Sequence, residues 1–159
     1  MKISVIIPIY LIDDQVKWLT DTCINSLISY TQEDYELIII DNNSPMEVNY
    51  ECDVYVRNKQ NMGNAVAWNQ GLALARGDFL LLADNDVEFE PGWEKLTEST
   101  EEAIVFPATS LSEQLEPKQR LAGFFWMMNR DTFKKLGNIS EEYGLAYYED
   151  TDYFMRTRS

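Results

Sequence analysis

A buried strand that ends in two acids is written into Leu80-Leu81-Leu82-Ala83-Asp84-Asn85-Asp86-Val87. Four apolar or small residues in a row suit a strand covered on both faces, as in the middle of an α/β sheet. Gly77 before the run is placed to stop a helix, and Pro91-Gly92 after it turns the chain. Ligands of open α/β sheets bind outside the carboxyl ends of the strands, where Asp84 and Asp86 would stand. Two carboxylates there repel each other unless a cation or a hydroxyl-rich ligand compensates them. The spacing points to a divalent metal holding a phosphorylated ligand.

The rest of the chain repeats this alternation. Ile3 to Pro8 reads as a first strand, and Asp14 to Tyr30 as a helix with Val16, Leu19, Cys23 and Leu27 at helical spacing. Asp13 or Asp14 is available to cap it. Glu36 to Asp41 is a second apolar strand ending in an acid, followed by the turn residues Asn42-Asn43-Ser44-Pro45. Asp53 to Arg57 reads as a short third strand, and Gly63 to Arg76 as an alanine-rich helix closed by Gly77. Phe79 to Ala83 is the strand described above. A short helix is predicted over Trp93 to Ser99, a strand near Ala103 to Phe106, and a polar loop over Leu111 to Arg120. Gly123 to Met128 reads as a strand, Arg130 to Leu136 as a helix stopped by Gly137, and Glu149 to Arg158 as a last helix. Strands alternating with helices imply a mostly parallel central sheet flanked by helices. The 159 residues suffice for one domain with a real core.

Composition narrows the chemistry. With 27 acids against 13 bases, the net charge of −14 argues against nucleic acid and against a basic lipid-docking patch. Two cysteines, Cys23 and Cys52, offer neither a disulfide framework nor zinc-site spacing. The first residues read as a strand broken by Pro8 and not as a signal peptide, and no stretch reaches the length of a membrane span. A cytoplasmic location is the default expectation. Histidine is absent altogether. Base catalysis must then fall first to a carboxylate, and after it to Tyr, Cys or Lys, and any metal must be a hard cation held by oxygen, magnesium or manganese.

Three sets of acids lie at strand ends or at a helix start: Asp41, Asp84 with Asp86, and Glu149 with Asp150 and Asp152. Asp41 alone is best read as an Asx-turn or cap, and for the last set helix capping competes with a functional role. In a parallel sheet, however, neighbouring strand ends share an edge, so Asp41 and Asp84 can converge. Taken together the acids resemble a site.

The order of motifs is similar to that of family 2 glycosyltransferases. Ser4 to Tyr10 and Leu37 to Ser44 resemble that family's opening segments. Asn61-Met62-Gly63-Asn64, Asn69-Gln70-Gly71 and Ala75-Arg76-Gly77-Asp78 resemble its next block. Asp84-Asn85-Asp86 matches its Asp-x-Asp motif. Gly123 to Arg130, Leu136-Gly137 and Tyr148 to Asp152 resemble its later, acceptor-side segments, with a rhamnosyltransferase-like branch nearest. The resemblance implies a GT-A fold, a Rossmann-like α/β architecture for nucleotide-diphospho-sugar transfer. The expected reaction moves a sugar from a nucleoside-diphosphate sugar to a saccharide, lipid-linked or protein acceptor, with inversion. A single domain is expected, with a donor-binding half over residues 1–90 and an incomplete acceptor half over 91–159.

The resemblance also implies roles. Pro8, Tyr10 and Asp41 would line the nucleotide base, Asp41 as an acceptor at its edge. Asn43, Asn61, Gly63, Asn85 and Gly123 would border the rest of the nucleotide sugar, and Asp84 would face the ribose. Asp86, with Asp84 beside it, would bind a divalent cation, Mn2+ or Mg2+, bridging the phosphates. Asp150 would be the general base, with Glu149 and Asp152 as neighbours. Trp68 and Trp126 read as core, while Tyr147 and Tyr148 are candidates for stacking on a sugar ring. A binding module without catalysis would use the same donor motifs, Asp150 then serving only as a cap. A nucleotidyltransferase or a Rossmann dehydrogenase needs a glycine-rich loop after the first strand, and Tyr10-Leu11-Ile12-Asp13-Asp14 offers none.

Overall fold

The computed structural model describes residues 2–101, 104–105, 123–145 and 149–156. Four strands run parallel: β1 (Lys2–Ile9), β2 (Asp34–Asp41), β3 (Val54–Arg57) and β4 (Phe79–Ala83). A fifth, β5 (Phe125–Asn129), pairs antiparallel with β4, and the spatial order is β3-β2-β1-β4-β5. Helices α1 (Asp14–Tyr30), α2 (Asn64–Leu74), α3 (Arg130–Leu136) and α4 (Glu149–Arg156) complete the described regular structure, with a 3-10 turn over Trp93–Ser99.

The apolar runs form strands because both of their faces find cover. Ile3, Val5, Ile7 and Ile9 of β1 pack into one core with Cys23, Ile24 and Leu27 of α1. Ile6 points the other way, into a second core with Ala65, Trp68 and Leu72 of α2 and Tyr153 and Phe154 of α4. Each fully buried aliphatic side chain contributes roughly 1.5–3 kcal/mol, so the doubly covered sheet dominates folding. Trp68 and Trp126 are core residues, edge-to-face at 5.5 Å.

Several expectations need correction. Gly77 does not close α2. The helix ends at Leu74 with Ala75 as its cap, its N–H donating to the Gly71 carbonyl. Gly77 instead packs against the backbone of β1, where its N–H donates to Ser4 Oγ at 2.8 Å. The strand expected near 103–106 is represented by Val105, which forms an isolated bridge with Met127; Ala103, Phe106 and the expected loop at 111–120 lie outside the described residues. The strand expected from Gly123 begins only at Phe125, because Gly123 and Phe124 form a turn over the end of β4. The predicted last helix is described as far as Arg156. Since β5 pairs with β4, the two expected halves share one sheet.

Candidate active site

Four acids gather at the carboxyl end of β4. The Asp84 N–H donates to the Phe124 carbonyl at 2.8 Å, tying the strand end to the Gly123–Phe124 turn. Burial pushes the Asp84 carboxyl up to about 7, and the charges of Asp86, Glu149 and Asp150 push in the same direction. Burial raises Glu149 as well, followed by the charge of Asp150. Glu149 is 7% exposed, and its Oε2 is buried without a hydrogen-bond partner. Asp150 packs against Gly123, and its Oδ1 accepts from the Thr151 N–H at 2.6 Å. Asp152, by contrast, is spent on Arg156 at 2.9 Å. Among the described residues no ion pair includes Asp84, Asp86, Glu149 or Asp150.

This donor set fits a hard divalent cation. Asp84 and Asp86 offer carboxylate oxygens, and the repulsion that raises Asp84 is what a cation there relieves. Among the described residues no three Asp, Glu or Cys side chains close on one point, so a bound ion would complete its shell with ligand oxygens and water. Cys23 lies just beneath, its Sγ 3.7 Å from the Asp84 carbonyl. Burial and the Asp86 and Asp84 charges push its thiol up to about 12, so it stays protonated and is no nucleophile. A cleft of about 810 Å3 opens beside the acids, lined by Asp84, Asp86, Phe89, Trp93, Lys95 and Phe124 among others.

The other expected residues cluster at the ends of β1 and β2. Pro8 is buried inside β1 opposite Ile40, so Tyr10, 40% exposed, is the side chain that faces outward there. Asp41 is fully buried, and its oxygens accept from the Ser44 N–H and the Tyr55 hydroxyl, both at 2.7 Å, and from Arg57. The turn reading of Asp41 therefore holds in the structure, and Arg57 and Tyr55 stand between its carboxylate and solvent. Asn43 is exposed in a left-handed conformation, φ 68°. Asn61 Oδ1 accepts from the Gly63 N–H at 2.9 Å. Asn85 turns away from its flanking acids and donates to Thr20 Oγ1 of α1 at 2.6 Å. Tyr147 and Tyr148 lie outside the described residues.

Sequence reasoning missed Asn42. It is 3% exposed, donates to the Gly63 carbonyl at 3.3 Å and accepts from Asn58 Nδ2 at 2.9 Å. Asn58 in turn exchanges amide hydrogen bonds with Gln70 of α2, at 3.0 and 2.9 Å. The loops after β2 and β3 and the start of α2 are thus clamped by side-chain amides. The only trace in the sequence is a turn-rich segment, Asn42 to Pro45, which says nothing of partners far along the chain.

The order β3-β2-β1-β4-β5, with acids at the carboxyl end of β4 and a cleft beside them, is a mostly parallel α/β sheet of the GT-A glycosyltransferase type, shared by the solved structures named below. The family model described as glycosyl transferase family 2 matches residues 4–141, and the chain belongs to that family. The chain is 33% identical over 98 residues to a poly(ribitol-phosphate) beta-glucosyltransferase of Bacillus spizizenii, covering 54% of this chain and 15% of that protein. It is 28% identical to an uncharacterized glycosyltransferase of Haemophilus influenzae, covering 97% of this chain and 61% of that protein. Against these relatives the chain spans less than two thirds of their length. Among solved structures, S. aureus TarS 1-349 in complex with UDP superposes with a TM-score of 0.73 at 17% identity, over 99% of this chain and 55% of that one. GalNAc-T7 with UDP, GalNAc and Mn2+ superposes with a TM-score of 0.76 at 16% identity, over 98% of this chain and 40% of that one. These similarities do not single out a rhamnosyltransferase-like branch.

Proposed function

We propose that the chain carries the nucleotide-sugar site of an inverting, cation-assisted glycosyltransferase. The observation that carries this reading is the gathering of Asp84 and Asp86 with Glu149 and Asp150 at one strand end, beside an open cleft. The structures of TarS with UDP and GalNAc-T7 with UDP and Mn2+ share the fold and support a nucleoside-diphosphate donor. Asp86 and Asp84 would hold the cation, which when bound supplies Lewis-acid stabilisation of the diphosphate leaving group. Tyr10, Asn43, Asn61 and Gly63 border the space for the nucleoside.

In the transfer itself, the acceptor hydroxyl oxygen bonds to the anomeric carbon while the bond from that carbon to the β-phosphate oxygen breaks. The electron pair leaves with the nucleoside diphosphate. The hydroxyl proton passes to the Asp150 carboxylate, a general-base contribution of ~10²–10⁴ in rate. The acceptor, a saccharide, lipid-linked or protein hydroxyl, would approach through the cleft of Phe89, Trp93 and Phe124. A cytoplasmic location accords with the reading; no helix among the described residues is long and apolar enough to cross a membrane.

A second reading has one observation behind it. Asp150 Oδ1 accepts from both the N–H and the hydroxyl of its neighbour Thr151, a local structural contact that a non-catalytic binding module would also hold. Thermal melting with UDP, GDP, dTDP and CDP, with and without manganese, separates the cases. One nucleotide should raise the melting temperature in a manganese-dependent way, and Asp86→Ala should abolish that rise. Asp150→Asn should keep the rise and lose turnover of the nucleotide sugar. A rise without turnover in the unaltered protein favours the binding module, and no rise with any nucleotide sinks both readings.

A further inference from the structure

Asp150 is seated in a gap that only a glycine leaves open. A Cβ built on Gly123 would collide with Asp150 Oδ2 and would stand 3.1 Å from its Cγ and 3.3 Å from its Cβ. Real Cβ atoms do not approach other heavy atoms so closely, so the carboxylate occupies the volume that a side chain at 123 would fill. The next residue, Phe124, takes the Asp84 N–H on its carbonyl at 2.8 Å. The Gly123–Phe124 turn therefore touches both sides of the acid cluster, the strand end that bears Asp84 and the helix that bears Asp150.

A second glycine packs against residues 144–145. Gly63, at φ 82°, has Leu145 Cα and O at 2.7 Å and Gly144 O at 2.9 Å from where its Cβ would be. The Leu145 carbonyl accepts from the Asn64 N–H at 3.2 Å, at the start of α2. Asn42 grips the same glycine through its carbonyl. Residues 144–145 are thus anchored on the loop that carries Gly63, which the proposed function sets beside the nucleoside.

We propose that Gly123 is a positioning residue that sets the place of the Asp150 carboxylate relative to Asp84. This rests on the assignment of Asp150 as the base. The sequence resemblance assigned Gly123 to the nucleotide sugar; the contact with Asp150 gives it a different task. Reactions that depend on oriented groups lose about 10²-fold in rate when a group is misplaced by ~1 Å.

Gly123→Ala is the informative variant. The atoms in its way are the far end of a flexible side chain, so the fold should survive while the carboxylate swings aside. UDP release from UDP-glucose in manganese, with water as acceptor, should fall about 10–100-fold in kcat, with the KM for donor and the UDP-dependent rise in melting temperature unchanged. Carbon-13 NMR should show the Asp150 carboxyl resonance displaced and that of Asp13, remote from the turn, unmoved. In an Asp150→Ala background, which keeps only the Cβ at 3.3 Å, Gly123→Ala should change melting and rate far less than in the unaltered protein.

An Asp150 resonance that stays in place, or a loss of donor affinity in proportion to kcat, overturns the proposal. Full turnover in Asp150→Asn alone would overturn the base assignment and the proposal with it, and that variant tells this failure apart from an unmoved carboxylate.

Discussion

At the scale of single residues, the chain's acids divide by their neighbours. Glu36 is almost wholly buried, yet its carboxyl is held below the usual range. Burial opposes this, but a 2.6 Å hydrogen bond from Ser4 Oγ, another from the Arg76 N–H and the charges of Lys2 and Arg76 outweigh it. A depressed folded pKa contributes stability that is present above the unfolded value of 4.5 and lost as pH falls through the folded one. Glu36→Gln should therefore flatten the acid limb of the stability curve, followed by urea unfolding from neutral pH downward; an unchanged slope would show that Glu36 is not linked to folding. Ser4→Ala should cost about 1–3 kcal/mol in the same measurement, because it strands the Gly77 N–H and removes one of the hydrogen bonds to the Glu36 carboxylate. Asp84 is the opposite case, raised by burial and by the charges of Asp86, Glu149 and Asp150, and among the described residues it is in no ion pair. That contrast was legible only in part: an acid at the end of an apolar run marks a strand edge, but its partners come from elements distant in the chain.

At the scale of elements, the strands and helices were readable almost throughout. The periodicity of β1, β2 and β4 follows from runs of Ile, Val and Leu, and α1 from its helical spacing and acidic start. Asp13 is the residue that caps α1, accepting from the Val16 N–H at 2.8 Å. Asp13→Ala should lower stability by about 1 kcal/mol, a fall of roughly 2–4 °C in melting temperature at this chain length. A melt that does not move would mean the first turn is held by packing alone. The end of α2 was misread for a physical reason: Gly77 is required by the backbone of β1 next to it and not by a helix terminus. An alanine-rich helix followed by glycine carries no mark of that difference.

At the scale of the whole molecule, charge is the unusual term. A net charge of −14 on 159 residues works against the compact state through self-repulsion. Raising sodium chloride from ~20 to ~200 mM at neutral pH shortens the Debye length from roughly 20 Å to below 10 Å and should raise the melting temperature. A fall instead would mean that local ion pairs, such as Lys17 with Asp21, outweigh the general repulsion. The acid cluster by the cleft concentrates this repulsion in one place, and a cation bound there would stabilise the fold as it completes the site.

By itself, the sequence determined the layered α/β architecture and the family, because apolar periodicity and motif order are properties of neighbouring residues. It also placed Asp84, Asp86, Glu149 and Asp150 at element ends. What the tertiary structure decided is how these groups stand: Asp41 closed in by Ser44, Tyr55 and Arg57, Asp152 paired with Arg156, Asn85 turned onto α1, and Asp150 seated against Gly123. Most of these depend on contacts between segments apart in the chain, and even the Asp152–Arg156 pair within α4 is not fixed by sequence spacing alone. Hydrogen bonds and charges act over a few ångströms of space, and which groups come that close is known only once the chain has folded.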